Sequence, residues 1–353
     1  MTSPLPDSPF IRTNRHGALA RLTLDRPAAL NACNLGMFVT IEAQLAAWAA
    51  DPQVGAIAID GTGRAFCAGG DIRMVRETVA SGDFGPLETL YTAEYRANVG
   101  ISRLTKPYLA LVDGICMGGG MGLAIHGSHR IVTERAVMAM PETAIGFFPD
   151  VGCTHVLPQL AGRVGWYLGL TGARLDAGDA LWCGLATHFI PHDDLADYQQ
   201  ALYADAGADA AAVTERFARP APPSDLACHA HGIARCFAGP TLADVFADLA
   251  LDDTPWAEQT LAVLRERSPL GLAWTWALMT HNERVVLGVA LATEQRAGAL
   301  LLNEPDFSEG VRSVVVDKDR QPHWQPARLE EVDITAVERA VAACAREAAA
   351  DPL

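Results

Sequence analysis

Apolar and polar residues alternate along the first half of the chain in patterns that predict strands and helices in turn. Residues 18–25 predict a strand with leucines on one face. Residues 35–50 carry apolar side chains at three- and four-residue steps, which predicts an amphipathic helix that ends before Asp51-Pro52. Residues 54–60 and 108–113 are short apolar strands. This alternation predicts an α/β or mixed layered core up to about residue 190.

Each of the two short apolar strands leads into a glycine-rich turn and then a predicted helix. The turns have the sequences G-T-G-R-A-F-C-A-G-G-D-I-R at 61–73 and G-I-C-M-G-G-G-M-G-L at 114–123. Neither matches a phosphate-binding loop or a sound dinucleotide fingerprint. Such turns present backbone N–H groups at a helix N-terminus, where they stabilise a carbonyl oxygen as it becomes an oxyanion. The simpler alternative is that these glycines only make tight turns and close helix packing.

Two acids, Glu142 and Asp150, lie in the otherwise apolar stretch M-A-M-P-E-T-A-I-G-F-F-P-D at 138–150. A carboxylate in apolar company loses hydration, which raises its pKa unless a donor or cation compensates. Both acids are therefore candidates for general acid/base or nucleophilic work. The simpler alternative is that Glu142 begins a helix after Pro141 and that Asp150 caps a turn after Pro149.

Beyond residue 191 the sequence becomes alanine-rich and helical in character. Ser268-Pro269 predicts a helix start, because serine caps a helix and proline suits its first turn. A second long helix is predicted at about 285–302. We therefore predict two parts of the chain, a core at 10–190 that carries the site and a mainly helical region at 191–353.

Composition narrows the class of protein and its partners. Of 353 residues, 50% are hydrophobic and 20% are charged, which is typical of a soluble globular protein with about two domains. No apolar run reaches the roughly 18 to 20 residues that span a bilayer, and no secretory signal is recognisable, so we expect a cytoplasmic protein without membrane association. The net charge of -15 argues against a nucleic-acid partner. The eight cysteines show no metal-ligand spacing, so no metal site is predicted.

Four motifs resemble those of the crotonase, or enoyl-CoA hydratase/isomerase, superfamily. They are R-P-A-A-L-N-A at 26–32, A-F-C-A-G-G-D-I-R at 65–73, G-G-G-M-G-L at 118–123 and M-P-E-T at 140–143. Within it, five longer segments look most like the 3-hydroxyisobutyryl-CoA hydrolase branch, at 117–127, 139–152, 170–175, 184–189 and 306–319. The resemblance covers about residues 18–326. It implies an α/β fold, with a crotonase-like core of repeated ββα units and a helical C-terminal region.

The resemblance also implies an acyl-CoA thioester as the substrate, with coenzyme A as part of that substrate and no separate cofactor. Carried over by position, the backbone N–H groups of Gly70 and Gly119 would form the oxyanion hole, one from each glycine turn. Glu94 matches a substrate-site acid of the hydrolase branch, and the simpler alternative is an exposed helix glutamate. The residues expected to line the path of coenzyme A and the thioester are Gly70, Asp71, Ile72 and Arg73, with Arg73 as a local cation for phosphates.

Two positions depart from the hydratase pattern. Hydratases of the superfamily carry a second catalytic glutamate where this chain has Gly122, and they carry a glycine where this chain has Asp150. Adding water to a double bond usually uses two acids, so the resemblance favours thioester hydrolysis by Glu142 and Asp150. The alternatives are an enoyl-CoA hydratase or isomerase, and a noncatalytic acyl-CoA-binding protein that has kept only the pocket.

The hydrolase branch suggests 3-hydroxyisobutyryl-CoA, an intermediate of valine degradation, as the substrate, with 3-hydroxypropionyl-CoA as a close alternative. The resemblance leaves the oligomeric state open. Crotonase relatives often form trimers, which suggests a homo-oligomer, but the distinct C-terminal region can occupy or replace such an interface.

Overall fold

The computed structural model of the chain describes residues 8–205 and 209–353, with the side chains of Ile72 and Arg73 outside the described part. Within these residues the strands are β1 (Ile11–His16), β2 (Leu19–Leu24), β3 (Ala56–Gly61), β4 (Ala65–Cys67), β5 (Tyr108–Val112), β6 (Ile115–Met117), β7 (His129–Val132), β8 (Val137–Ala139) and β9 (His188–Phe189).

The helices alternate with these strands and then continue alone to the C-terminus. They are α1 (Leu35–Ala50), α2 (Ile72–Ser81), α3 (Gly85–Ser102), α4 (Gly119–Ile125), α5 (Cys153–Val156), α6 (Val164–Thr171), α7 (Ala177–Trp182), α8 (His192–Ala204), α9 (Ala210–Phe217), α10 (Ala230–Cys236), α11 (Leu242–Leu251), α12 (Pro255–Glu266), α13 (Pro269–Asn282), α14 (Leu287–Leu301), α15 (Pro305–Val311) and α16 (Ile334–Ala350). A π-helical turn, Arg312–Val316, follows α15 directly.

The strands form two sheets whose topology follows the predicted ββα repeat. The larger sheet has the order β1-β2-β3-β5-β7-β9, and the smaller has the order β4-β6-β8. Only the β1–β2 pair of the larger sheet is antiparallel among its described pairings. Strand β5 is buried at every position, which explains its unbroken apolar run, since a central parallel strand is covered on both faces. The succession β3-β4-α2 and then β5-β6-α4 confirms the predicted fold class.

Local sequence signals explain where two of the helices begin. The side chain of Asn34 accepts a hydrogen bond from the backbone N–H of Met37 at 3.0 Å, and α1 then has the bounds that its apolar periodicity predicts. Ser268 accepts from the backbone N–H of Gly271 at 2.8 Å, with Pro269 as the first residue of α13. The predicted start of this helix is confirmed.

The chain forms two compact units that interleave along the sequence. The first, here called the sheet unit, comprises the described parts of Met1–Asp71, Thr92–Met138 and Leu175–Asp225. Its buried cluster joins strands β2, β3, β5 and β7 to helices α8 and α9, which places these helices on one face of the larger sheet. The second, here called the helical unit, comprises Ile72–Tyr91, Ala139–Arg174 and Leu226–Leu353. The predicted division at residue 190 cuts the chain once, whereas each compact unit is built from three separate segments of chain. That division into two parts stays a prediction.

Within the described ranges, no helix is both long enough and apolar enough to cross a membrane.

Candidate active site

The first glycine-rich stretch, predicted as a turn at 61–73, contains the short strand β4, and the glycines after β4 are held by a bridge to the segment before α1. The N–H of Cys33 donates to the carbonyl of Gly69 at 2.8 Å, and the N–H of Asp71 donates to the carbonyl of Cys33 at 2.9 Å. Because these bonds use the residues on either side of Gly70, the N–H of Gly70 itself points away from Cys33. A Cβ atom added at Gly70 would meet no other atom within 4 Å, so packing does not require glycine there.

The second glycine turn lies beside the first in the sheet unit. Strands β4 and β6 lie within the two glycine-rich stretches and pair in parallel, so the glycines that follow each strand leave the same edge of the smaller sheet. A Cβ atom added at Gly69 would lie 3.6 Å from the backbone nitrogen of Gly119. Gly119 is the first residue of α4, and the N–H groups of a first helical turn have no acceptor within the helix. The structure therefore brings the two predicted donor turns together.

Glu94 lies beside Gly119 and is not an exposed helix glutamate. Its side chain is buried in the sheet unit, and a Cβ atom added at Gly119 would overlap its Oε1 atom. The alternative that placed Glu94 on the surface of a helix is thus wrong. Sequence periodicity did not reveal this burial, and its proposed contact with the substrate stays a prediction.

Three residues after Gly70 are predicted to line the path of coenzyme A, and the structure describes the side-chain contacts of the first of them, Asp71. Asp71 forms an ion pair with Arg26 at 2.7 Å, and Arg26 also donates to the carbonyl of Ala32 at 3.0 Å. These contacts tie the glycine turn to the loop before α1. The predictions for Ile72 and Arg73 concern side chains outside the described part, and the substrate contacts of all three residues stay predictions.

Glu142 begins a 3-10 helix, Glu142–Ile145, directly after Pro141 in the helical unit. The expectation that Glu142 begins a helix after Pro141 is therefore correct, and its carboxyl group is also buried. Its Oε2 atom has no hydrogen-bond partner among the described residues. Burial raises the pKa of Glu142 well above 4.5, and the negative charge of Asp150 raises it further.

Aromatic rings pack around the segment that joins the two acids. The ring of Phe147 stacks on that of Phe148 with centroids 4.5 Å apart, and it lies 6.0 Å from Tyr91 and 5.7 Å from Phe307. These four residues all belong to the helical unit. An apolar surrounding of this kind disfavours the charged form of a carboxyl group that lies within it.

Asp150 begins a turn whose conformation is unusual for its residues. The N–H of Cys153 donates to the carbonyl of Asp150 at 2.8 Å, which closes the turn. Val151 and Gly152 both have positive φ, at 51° and 84°. Asp150 therefore lies at a turn, as expected, but its side chain is buried and not exposed to solvent.

Glu294 is a buried acid of this region that sequence reasoning missed. It lies on α14 and accepts hydrogen bonds from the backbone N–H groups of Gly152 and Thr154, at 2.8 and 3.2 Å. Burial raises its pKa to about 8. A signal was present, because Glu294 shares the helical spacing of Ala290 and Ala297, which both face the core.

The segment at 306–319, which resembles the hydrolase branch, begins on α15 and supports the Glu142 helix. A Cβ atom at Gly146 would overlap the backbone of Asp306, and one at Gly310 would overlap the backbone of Ile145. Asp306 accepts from the N–H of Gln325 at 2.7 Å and from the hydroxyl of Ser268. Helix α15 therefore packs on the 3-10 helix with its backbone in direct contact.

Among the described residues, no three His, Cys, Asp or Glu side chains are grouped so that they could hold a metal ion.

Comparison with known proteins places this architecture in a family. A family model described as enoyl-CoA hydratase/isomerase matches residues 19–341. A relative from Xenopus laevis, named 3-hydroxyisobutyryl-CoA hydrolase, mitochondrial, is 40% identical over 325 residues, which cover 90% of this chain and 84% of the relative.

Two solved structures have closely similar folds. One, titled a carnitinyl-CoA dehydratase from Mycobacterium thermoresistibile, has a TM-score of 0.89 at 37% identity and covers 95% of this chain and 96% of its own. The other, titled an enoyl-CoA hydratase from Rhodobacter sphaeroides, has a TM-score of 0.87 at 40% identity and covers 94% and 97%. The motifs, the ββα architecture and these similarities agree, and the chain belongs to the enoyl-CoA hydratase/isomerase (crotonase) family.

Proposed function

We propose that the protein is an acyl-CoA thioester hydrolase whose substrate is 3-hydroxyisobutyryl-CoA. The observation that carries this proposal is the pair of buried acids, Glu142 and Asp150, within one short segment of the helical unit. A hydratase of this family would need its second glutamate at the position of Gly122, which has no side chain. The similarity to the hydrolase from Xenopus laevis supports the same reaction.

In the proposed mechanism, the N–H groups of Gly70 and Gly119 donate to the thioester oxygen as negative charge develops on it. The carboxylate of Glu142 has two possible routes. It attacks the carbonyl carbon, expels the coenzyme A thiolate and leaves a mixed anhydride that water then hydrolyses, or it takes a proton from a water molecule that attacks the same carbon. The raised pKa makes the ionised carboxylate a stronger base, which suits removal of a proton from water.

Asp150 has three candidate roles in this scheme. It orients Glu142 or the attacking water, binds the hydroxyl group of the substrate, or assists the departing thiolate. Its burial close enough to Glu142 to raise the pKa of that residue is compatible with each role.

The second candidate function is hydration of an enoyl-CoA. It is favoured by the two solved structures, whose titles name a dehydratase and a hydratase at 37% and 40% identity. Isomerases of the superfamily work with a single acid, so the glycine at position 122 counts less against isomerisation than against hydration.

The deciding experiment compares two signals on the purified protein. Thiol release from 3-hydroxyisobutyryl-CoA is measured beside the loss of enoyl absorbance from crotonyl-CoA and methacrylyl-CoA. Thiol release with a constant enoyl signal supports the hydrolase, and loss of enoyl absorbance without thiol supports the hydratase. Tight binding of coenzyme A esters without either signal supports a noncatalytic binding protein. Thiol release from 3-hydroxypropionyl-CoA, measured in parallel, tests the acyl group.

The two routes for Glu142 are separated by isotope labelling. After a single turnover in oxygen-18 water, label in the carboxyl group of Glu142 shows direct attack by Glu142 followed by opening of the anhydride at its glutamyl carbon, whereas opening at the substrate carbon places the label in the product acid. Attack by water leaves Glu142 unlabelled. A Glu142→Gln variant with normal turnover would exclude both routes.

Three further parts of the proposal concern the cell and the assembly. We propose a role in valine degradation, which a deletion strain tests by its growth on valine. We propose a cytoplasmic location, although the relative from Xenopus laevis is named as mitochondrial, and cell fractionation tests it. We also propose that the protein forms a homo-oligomer, which sedimentation of the active protein tests by giving its molecular mass. We propose that the reaction uses no separate cofactor.

A further inference from the structure

Glu294 is a fully buried carboxyl group on α14 whose hydrogen bonds all point at the turn after Asp150. One oxygen, Oε2, accepts from the N–H of Gly152 at 2.8 Å. The other, Oε1, accepts from the N–H of Thr154 at 3.2 Å and from the hydroxyl of Thr154. A side chain distant in sequence thus binds the turn at Gly152 and the start of α5 at Thr154.

The turn needs support of this kind because its backbone is strained. Val151 has a φ of 51°, and a β-branched side chain in that region typically costs about 1–3 kcal/mol. Gly152 continues the left-handed path with a φ of 84°. Such a conformation persists only when the surroundings determine it strongly. The bond from Cys153 to the carbonyl of Asp150 closes the turn internally, and Glu294 holds it from outside.

The hydrogen bonds around Thr154 require an acceptor at position 294. Asn282 donates from Nδ2 to the hydroxyl oxygen of Thr154 at 2.8 Å, so the hydroxyl proton is left to donate to Glu294. Two N–H groups and one O–H group therefore converge on a single carboxyl group, and these hydrogen bonds lower its pKa and so oppose the effect of burial. Glutamine has the same shape, but its NH2 group would face one of these donors and lose that bond.

From this geometry we propose that Glu294 is a positioning residue for Asp150. By fixing the turn at 150–154 it keeps the Asp150 carboxyl group in one orientation for the reaction. The inference rests on the proposed function only in that Asp150 takes part in the chemistry. The negative charge of Asp150 also contributes to the raised pKa of Glu294, after the larger effect of burial, so the two carboxyl groups lie within electrostatic reach of each other.

The first test uses Glu294→Gln and measures kcat, KM and melting temperature for thiol release. We expect kcat to fall by about 10- to 100-fold while KM changes by less than about threefold, because misplacing a reacting group slows the chemical step. Unchanged kcat in a folded variant would overturn the inference. A shared rise in KM and fall in melting temperature without a fall in kcat would also overturn it, since that pattern marks a purely structural role.

A matched pair at Thr154 keeps the test valid if Glu294→Gln does not fold. Thr154→Val removes the hydroxyl at nearly constant volume, whereas Thr154→Ser keeps it. We expect kcat to fall about tenfold in the valine variant and to stay within about twofold in the serine variant. A valine variant that keeps its kcat while the serine variant loses activity would show that side-chain volume matters and not the bond to Glu294.

A double-mutant cycle with Asp150→Asn tests whether Glu294 acts through Asp150. If it does, Glu294→Gln has an effect of less than about twofold once Asp150 is already replaced. A full and independent loss in that background would refute the link. Failure of the proposed function is seen separately, in the wild type: if the wild type consumes enoyl-CoA and releases no thiol, the same cycle is measured on that reaction.

Discussion

Replacing Glu142 with glutamine should make the protein gain stability relative to the wild type as the pH rises, while abolishing most of its activity. Burial and the nearby charge of Asp150 raise the pKa of Glu142 well above its ordinary value of 4.5. Below pH 4.5 the group is protonated in both the folded and the unfolded chain. As the pH rises above 4.5, the unfolded chain releases this proton and the folded chain keeps it. The free energy of unfolding therefore falls with rising pH until the pH passes the folded pKa.

The size of this effect follows from proton linkage. Each pH unit between the unfolded and the folded pKa removes up to about 1.4 kcal/mol from the free energy of unfolding. Glutamine has nearly the same shape and no charge, so the variant lacks this slope. Any fixed cost of the new amide group is the same at every pH. Glu294 contributes to the pH dependence of both proteins, so its contribution largely cancels in the difference.

The assay is urea unfolding of the wild type and Glu142→Gln at several pH values between 5 and 8.5. We expect the variant to gain stability relative to the wild type as the pH rises. Glu338→Gln, which changes an exposed glutamate on α16, is the matched control and should show no such gain. A difference that is constant with pH, or that falls as the pH rises, would refute a buried Glu142 with a raised pKa.

The same variant tests the catalytic assignment. Loss of a general base or nucleophile should lower kcat for thiol release by about 10²- to 10⁴-fold. In the wild type, kcat/KM should rise with pH above 4.5 as Glu142 loses its proton, and this rise should be missing from the residual activity of the variant. A variant that is more stable and fully active would separate the buried acid from the chemistry.

Two further predictions concern the supports of the site. Gly310→Ala should destabilise the protein by about 1–3 kcal/mol, because its Cβ atom would overlap the backbone of Ile145, whereas Gly100→Ala, in an open helical position, should stabilise it by up to about 1 kcal/mol in urea unfolding. Arg26→Met should cost about 1–3 kcal/mol and lower kcat for thiol release, because it removes a largely buried ion pair that holds the first glycine turn. Arg12→Met, which breaks a mostly exposed pair, should cost less than about 1 kcal/mol, and equal losses in the two arginine variants would contradict this account.

Local patterns in the sequence were enough to predict several elements of the fold around the candidate site. The helix at Leu35–Ala50 follows from apolar spacing, and the start at Pro269 follows from a serine cap and a first-turn proline. The strands before both glycine turns follow from short apolar runs. These features depend on residues that are close together in the chain, so their physical cause can be recognised without the fold.

The relations between those elements depend on residues far apart in the chain. Parallel pairing of β4 with β6 brings Gly69 beside Gly119, across 50 residues of sequence. No local pattern distinguishes Glu94 as buried from Glu94 as exposed, because burial depends on what packs against the helix. The same holds for α15, because its contact with the Glu142 helix requires glycine at positions 146 and 310.

The buried acidic residues show most clearly the difference between what local sequence and long-range packing determine. Their apolar neighbours in sequence were sufficient to mark Glu142 and Asp150 as unusual carboxyl groups. Glu294 could not be linked to them, because its partners Gly152 and Thr154 lie about 140 residues earlier in the chain. The sequence therefore indicated which acids are candidates for the chemistry, while long-range packing determined their burial and hydrogen bonds, because desolvation and hydrogen bonding depend on neighbours that only folding brings together.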